Sequence, residues 1–293
     1  MKNHQGNHQG DALLVFHRPE IVGVVNITAD SFSDGGRFLD ADKAIAHAEK
    51  LLADGADILD LGAAASNPHA EHVPAATEIE RLAPVVAHLK KRKARISIDT
   101  TKRDVQRWAL GQGVEFLNDI RGFPDESLYP ELVRSSAKLI TMHMMSDTDK
   151  AMRRSKQPRE VFHSIRAFFN ARLERLHNAG VSRERIVIDP GMGFFLAGNP
   201  EPSLAVLAHL RELKQELGFP VMIGVSRKSF LKNLSAEKNA DIQTRTLAAE
   251  LFAALQGVDY IRTHETTPLR EALLTLDKIR HEAGLRWRFL EHV

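Results

Sequence analysis

Eight short apolar segments, each with a polar residue at or near its end, alternate with helix-period segments along this chain, and that alternation constrains its fold more than any other feature. The segments are IVGVVN from Ile21, DILDLG from Asp57, ISIDT from Ile96, FLNDI from Phe116, KLITMH from Lys138, RIVIDPG from Arg185, VMIGVS from Val221 and DYIRTH from Asp259. Each is almost continuously apolar before its polar end, as parallel strands buried on both faces are. Between them Ile79, Leu82, Val86 and Leu89, and later Phe162, Ile165, Phe169, Leu173 and Leu176, recur at helical spacing. Gly55, Gly113, Gly180, Gly218 and Gly257 stand shortly before the second, fourth, sixth, seventh and eighth segments, where a helix C-terminus calls for left-handed backbone.

Eight strand–helix units predict an α/β fold, a TIM (β/α)8 barrel in a single domain over residues 19–293, since such barrels commonly need about 250 residues. An open doubly wound sheet is the rival architecture. It lacks support, because no GxGxxG follows the first segment and no Walker loop occurs anywhere. Residues 1–18 hold NHQG twice in tandem and predict a disordered polar tail, in which His4 and His8 offer at most a loose metal site.

Composition narrows the partners. Lys and Arg total 40 against 38 Asp and Glu, and a net charge of +2 supplies no field to draw nucleic acid or an anionic membrane. The chain has no cysteine, which excludes disulfides, thiolate metal sites and a thiol nucleophile. No apolar run reaches the roughly 18–20 residues that span a bilayer, and no apolar stretch follows the early lysine as in a secretion signal. A cytoplasmic protein is expected.

In a TIM barrel the chemistry sits at the C-terminal ends of the strands. Those ends here carry Asn26, Asp60, Asp99, Asn118, His143, Asp189, then Ser226, Arg227 and Lys228, then Arg262 and His264. Any one of them reads equally well as a helix cap or turn residue. Together they make a mouth suited to a ligand with a donor-rich polar ring and an anionic group. Ser226 sits in no nucleophile elbow, so a hydrolytic triad is not indicated. Asp60, Asp99 and Asp189 are hard oxygen donors, but without HxH or HExxH spacing a magnesium ion arriving with a diphosphate is the simplest metal reading.

The motifs are also similar to a known family. VGVVNITADSFSDGGRF resembles the first signature of the dihydropteroate synthases, and DILDLG, ISIDTTK, LNDIRGF, MHM, IDPGMGF, GVSRKSFL and RTH resemble its later blocks in order, over roughly residues 20–285. The resemblance implies a TIM barrel that joins 6-hydroxymethyl-7,8-dihydropterin diphosphate to p-aminobenzoate, releasing pyrophosphate. It implies pterin contacts from Asp99, Asn118, Met142, Asp189, Phe194 and Lys228, and diphosphate contacts from Asn26, Arg262 and His264, with Mg2+ at Asn26. Asn26, Asp99, Lys228, Arg262 and His264 would form the catalytic set. The p-aminobenzoate would meet Ser66, Pro68, Phe194, Ser226 and Lys228 under a loop carrying Ser31, Phe32, Ser33 and Asp34. A dissociative reaction follows, in which cations stabilise the departing diphosphate and no dedicated base is needed. Asp60 stays open between ligand contact and support, and His143 reads as structural.

Two departures from the family pattern stand out. Ala63, Ala64, Ala65, Ser66, Asn67 and Pro68 replace a stretch that usually carries Glu and Arg, removing a bidentate cation from the p-aminobenzoate loop. GMGFFLAGNPEPSL runs about two residues longer than usual and adds Phe195. With RGFPD after Asn118, these features resemble the sulfonamide-resistant form of the family, and Phe195 or its neighbour is expected to act as a steric filter against the drug. The alternatives are a pterin-binding methyltransferase domain and a non-catalytic pterin-binding barrel. NITADSFSDGG with Arg262 and His264 argues against both. A homodimer is expected, with the stripe Leu269, Leu273, Leu276 and Ile279 either pairing subunits or covering the barrel.

Overall fold

A computed structural model describes residues 18–27, 37–64, 73–145, 154–234 and 241–282. The expected strands are all present. They are β1 (Glu20–Asn26), β2 (Ile58–Gly62), β3 (Ile96–Asp99), β4 (Phe116–Asp119), β5 (Lys138–Met142), β6 (Ile186–Asp189), β7 (Met222–Ile223) and β8 (Tyr260–Thr263). Between and after them run α1 (Arg37–Ala53), α2 (Ala75–Lys91), α3 (Arg103–Gly111), α4 (Tyr129–Arg134), α5 (Pro158–Asn178), α6 (Glu201–Ala208), α7 (Leu210–Leu217), α8 (Ser229–Lys232), α9 (Ile242–Leu255) and α10 (Thr266–Glu282).

All described strand pairs are parallel, in the order β6-β5-β4-β3-β2-β1-β8-β7. A bridge between Ile188 and Val221 joins the two ends, so the sheet is the expected TIM barrel and not an open doubly wound sheet. The closing strand is short because Gly224 and the turn through Arg227 follow Ile223 at once. Side chains alternate across each strand. Val22, Ile58, Phe116, Ile140, Val187, Met222 and Tyr260 point inward from seven strands and form one apolar layer that plugs the lower barrel. The Phe116 and Tyr260 rings meet edge to face at 5.8 Å. Above this floor, at the mouth, lie the polar strand ends.

Helical faces pack where the spacing predicted. Leu82, Val86 and Leu89 of α2 and Ile165, Phe169 and Leu176 of α5 are buried on the sheet, with Ile79, Phe162 and Leu173 partly buried beside them. On α10, Leu269 and Leu273 are buried over the barrel, whereas Ile279 is 61% exposed, so the stripe mainly covers the sheet. Arg18, at the end of the expected tail, lies 3.6 Å from Asp57, whose other contact is the Ile21 amide. The remainder of the tail, with His4 and His8, lies outside the described residues.

The expected helix-ending glycines all adopt positive φ. Gly113 has φ 68° with open space where a Cβ would stand, while Gly191, just beyond β6, has φ 76° and would place a Cβ 2.4 Å from the His143 carbonyl oxygen. Gly113→Ala should therefore cost about 1–2 kcal/mol through backbone strain alone. Gly191→Ala adds a backbone clash and should cost about 3 kcal/mol or more in urea unfolding. Equal losses at the two sites would contradict this.

Candidate active site

Strand register assembles the mouth. Asp99 lies opposite Asn118, Met142 opposite Asp189, Val24 opposite Asp60 and Asn26 opposite Gly62. Asp99, Asn118 and Asp189 share inward parity with the apolar floor residues of their sheet, so the fold sends their side chains into one space. A Cβ at Gly62 would lie 3.8 Å from Asp99 Cβ and 4.0 Å from Asn26 Oδ1, and the missing side chain keeps this part of the mouth open.

Arg262, on β8, reaches across the barrel. Its Nε donates to Asp60 Oδ2 at 2.5 Å and its Nη2 to Asp99 Oδ2 at 2.9 Å. Asn118 Nδ2 also donates to Asp60 Oδ2, at 3.3 Å. Asp60 is fully buried, and its Oδ1, together with Asn118 Oδ1, is a buried oxygen without a hydrogen-bond partner. Unmet buried acceptors cost free energy, and at a mouth they mark where a ligand's donors fit. Asp60 thus supports Arg262 and Asn118 through Oδ2, while its unpaired Oδ1 faces no protein donor.

The charges are strongly coupled. Burial, then the neighbouring Asp60 carboxylate, pushes Asp99 up to about 7, with Arg262 offsetting part of the rise. Burial lifts Asp189 to about 6, against a hydrogen bond from the Gly191 amide to its Oδ1 at 2.8 Å. Lys228 is lowered to about 8 by burial and by Arg262. Burial opposes the charge on Arg262, but Asp60 and Asp99 outweigh it and hold the guanidinium above its ordinary value. These are the balanced, partly charged states that perturbed groups at functional sites show.

His264 departs from the expectation of a second cation beside Arg262. Burial, followed by the nearby charges of Arg262, Arg227 and Lys228, lowers it to about 3, so it is neutral near pH 7. Ser226 Oγ lies 3.2 Å from the His264 amide and 3.0 Å from its Nδ1. The hydroxyl accepts from the amide, and the tautomer of the ring decides which partner donates in the Nδ1 contact.

Met142, Phe195 and Ile120 form a small buried cluster with Met144 against it. Lys228 Nζ lies 4.5 Å from the centroid of the Phe195 ring. Phe195 is 8% exposed and packs against Lys228, while Phe194 is half-buried and the more open ring. His143 is structural, as expected: Nδ1 meets the Pro190 carbonyl at 3.1 Å and Nε2 the Ser164 hydroxyl at 2.9 Å, and burial lowers it to about 4. Ser66, Pro68 and Ser31 to Asp34 lie outside the described residues. Among the described residues no three His, Asp or Glu side chains gather as a metal site.

A closed parallel barrel with its ionisable residues concentrated at the strand C-termini is an enzyme architecture. A family model described as pterin binding enzyme matches residues 22–264, and the chain belongs to that family, among its dihydropteroate synthases. It is 51% identical over 266 residues to dihydropteroate synthase type-2 of Escherichia coli, covering 91% of this chain and 98% of that one. It is 49% identical over 257 residues to the type-3 enzyme of Escherichia coli, covering 87% and 97%. The structure of Xanthomonas albilineans dihydropteroate synthase with 4-aminobenzoic acid superposes with a TM-score of 0.80 at 31% identity, covering 90% of this chain and 93% of that one.

Sequence reading left out the residues behind the ring. Gln106 and Glu78 are buried polar groups on helices α3 and α2, and Asp119 is a buried acid one residue past Asn118. Their one sequence signal is polarity on an otherwise apolar helix face or strand end. The Arg262 bridge itself makes a stability prediction. Arg262→Met leaves Asp60 and Asp99 buried without that cation, at a cost of about 3–5 kcal/mol at pH 8. Carboxyls with folded pKa values raised this way oppose folding increasingly as pH climbs past the unfolded carboxylate range. The loss measured by denaturant unfolding should therefore shrink at pH 5.5, and a pH-independent loss would contradict the bridge.

Proposed function

We propose that this mouth joins 6-hydroxymethyl-7,8-dihydropterin diphosphate to p-aminobenzoate, forming 7,8-dihydropteroate and pyrophosphate. The observation that carries the reading is the convergence of Asp99, Asn118, Asp189 and Lys228 with Arg262 above a closed apolar floor. A 2-amino-pyrimidinone edge offers parallel N–H donors that a carboxylate accepts pairwise, and Asn118 adds an amide of either polarity. Met142 and Phe194 supply apolar packing for the ring.

Arg262, Lys228 and the neutral His264 ring would stabilise the charge that builds on the departing diphosphate. The donor set suits magnesium carried by the substrate: Asn26 offers one exposed amide oxygen at the end of β1, and the Asp60 and Asp99 carboxylates are already tied to Arg262. Asn26 would hold such an ion, which would supply charge neutralisation for the leaving group. The arylamine then attacks the electron-poor methylene, and positioning carries the rate. Ser66, Pro68, Phe194, Ser226 and Lys228 would hold p-aminobenzoate, with Ser226 also meeting His264.

We further infer insensitivity to sulfonamides. The turn Gly193–Phe195 supports it, since Phe194 there precedes the buried Phe195 that packs against Lys228. A homodimer through the exposed Phe252, Leu255, Leu274 and Ile279 of α9 and α10, and a cytoplasmic location, complete the reading. Among the described residues no helix is long and apolar enough to cross a membrane.

Purified protein given magnesium and both substrates should release dihydropteroate, and turnover should persist under a large excess of sulfamethoxazole. Absence of product from folded protein contradicts the synthase reading, and inhibition by low drug contradicts insensitivity alone. Affinity for the pterin substrate should fall as pH drops from 8 to 6, because Asp99 near 7 and Asp189 near 6 must be ionised to accept its N–H donors. Titration calorimetry across that range reads the effect, and pH-independent affinity would rule out carboxylate recognition.

A further inference from the structure

Behind Asp99 and Asn118 lies a buried polar network that no step of the reaction uses. Gln106 is 2% exposed on α3, between the apolar Val105 and Ala109 on the helix's buried face. Its Nε2 donates to the Thr100 carbonyl at 3.0 Å and to Asp119 Oδ2 at 2.9 Å. Thr100 directly follows Asp99, and Asp119 directly follows Asn118. One amide nitrogen therefore ties together the residues beside both members of the facing pair.

Each anchor of this tie is itself fixed. The Thr100 amide donates to the Asn118 carbonyl at 3.0 Å, and Thr100 Oγ1 donates to Glu78 Oε2 at 2.9 Å. Glu78, 1% exposed on α2, also pairs with Lys102. On the other side Asp119 accepts from the Arg121 amide at 2.8 Å and the Phe123 amide at 3.1 Å, shaping the turn that follows β4. Burial pushes Asp119 up, while these amides and Gln106 favour its carboxylate. Gln106 is the joint between the Glu78–Thr100 half of the network and the Asp119 half.

We propose that Gln106 is a positioning residue for pterin recognition, holding the ends of β3 and β4 at the spacing where Asp99 and Asn118 meet one edge of the heterocycle. The inference rests on the function proposed above and adds a residue to it. Paired hydrogen bonds to a rigid ring tolerate little displacement, and a shift near 1 Å at such a site costs up to about 100-fold. Two variants separate positioning from bulk. Gln106→Met fills the same volume without donors. Gln106→Glu keeps the shape but regains an O–H donor toward Asp119 only when protonated.

In Q106M the KM for the dihydropterin diphosphate should rise about 10-fold, while the KM for p-aminobenzoate stays within about 2-fold of wild type. In Q106E the same defect, expressed relative to wild type at each pH, should shrink from pH 8 to pH 6. An unchanged pterin KM in folded Q106M, or parallel rises in both KM values, overturns the role. Should Q106M fail to fold, Q106E decides by the same split, and a defect relative to wild type that does not shrink toward pH 6 also overturns it. Should wild type bind pterin without turnover, the proposed reaction fails separately. Calorimetric binding of 6-hydroxymethylpterin to wild type and variant then tests positioning by itself, with equal affinities counting against it.

Discussion

Arg262 lies between two carboxylates inside a barrel, and the organisation of the mouth depends on that bridge. Asp60 is fully buried, and a lone ionised carboxylate there would be prohibitively costly. The guanidinium supplies a fixed fork of donors, one to Asp60 and one to Asp99, and its charge survives burial because both acids face it. Asp60 in turn receives the Asn118 amide. One buried acid therefore orients a cation of the diphosphate side and an amide of the pterin side. Such clusters add little net stability compared with apolar packing, and what they supply is a defined arrangement of charges.

The barrel makes that arrangement inexpensive to specify. Parallel register places Asp99 against Asn118 and Met142 against Asp189 without any loop having to find its partner. Below them the seven-residue apolar layer from Val22 to Tyr260 excludes water from the strand bases. Low polarity beneath and alongside the ring explains why Asp99 and Asp189 sit near neutrality while Lys228 falls toward it. A ligand bringing N–H donors relieves the unpaired Asp60 and Asn118 oxygens. Positioning extends one layer outward, through Gln106, Thr100 and Asp119.

Much of this was legible in the sequence, for physical reasons. Double-sided burial gives parallel strands continuous apolar runs, so all eight appeared, and helix C-termini announced themselves at glycines such as Gly113 and Gly180. Inward polar residues at strand ends were visible because the fold's chemistry lies there. What the sequence did not reveal depends on distance across the barrel. Nothing local links Asp60 to Arg262, which are 202 residues apart, or brings Ser226 against the His264 ring. The neutral state of His264 follows from neighbouring cations and burial, neither of which a motif encodes. Likewise the packing of Phe195 on Met142 and Ile120 and its contact with Lys228 depend on strands far apart in the sequence.

The central claim, that one ring of charges reads the pterin with one side and its diphosphate with the other, is tested most directly by a crystal structure with 6-hydroxymethylpterin, pyrophosphate and magnesium. The account predicts the amino-pyrimidinone edge on Asp99, Asn118 and Asp189, and pyrophosphate against Arg262 and the Nε2 of His264, with the metal at Asn26. Pterin bound away from Asp99 and Asn118, or pyrophosphate held without Arg262, would contradict it.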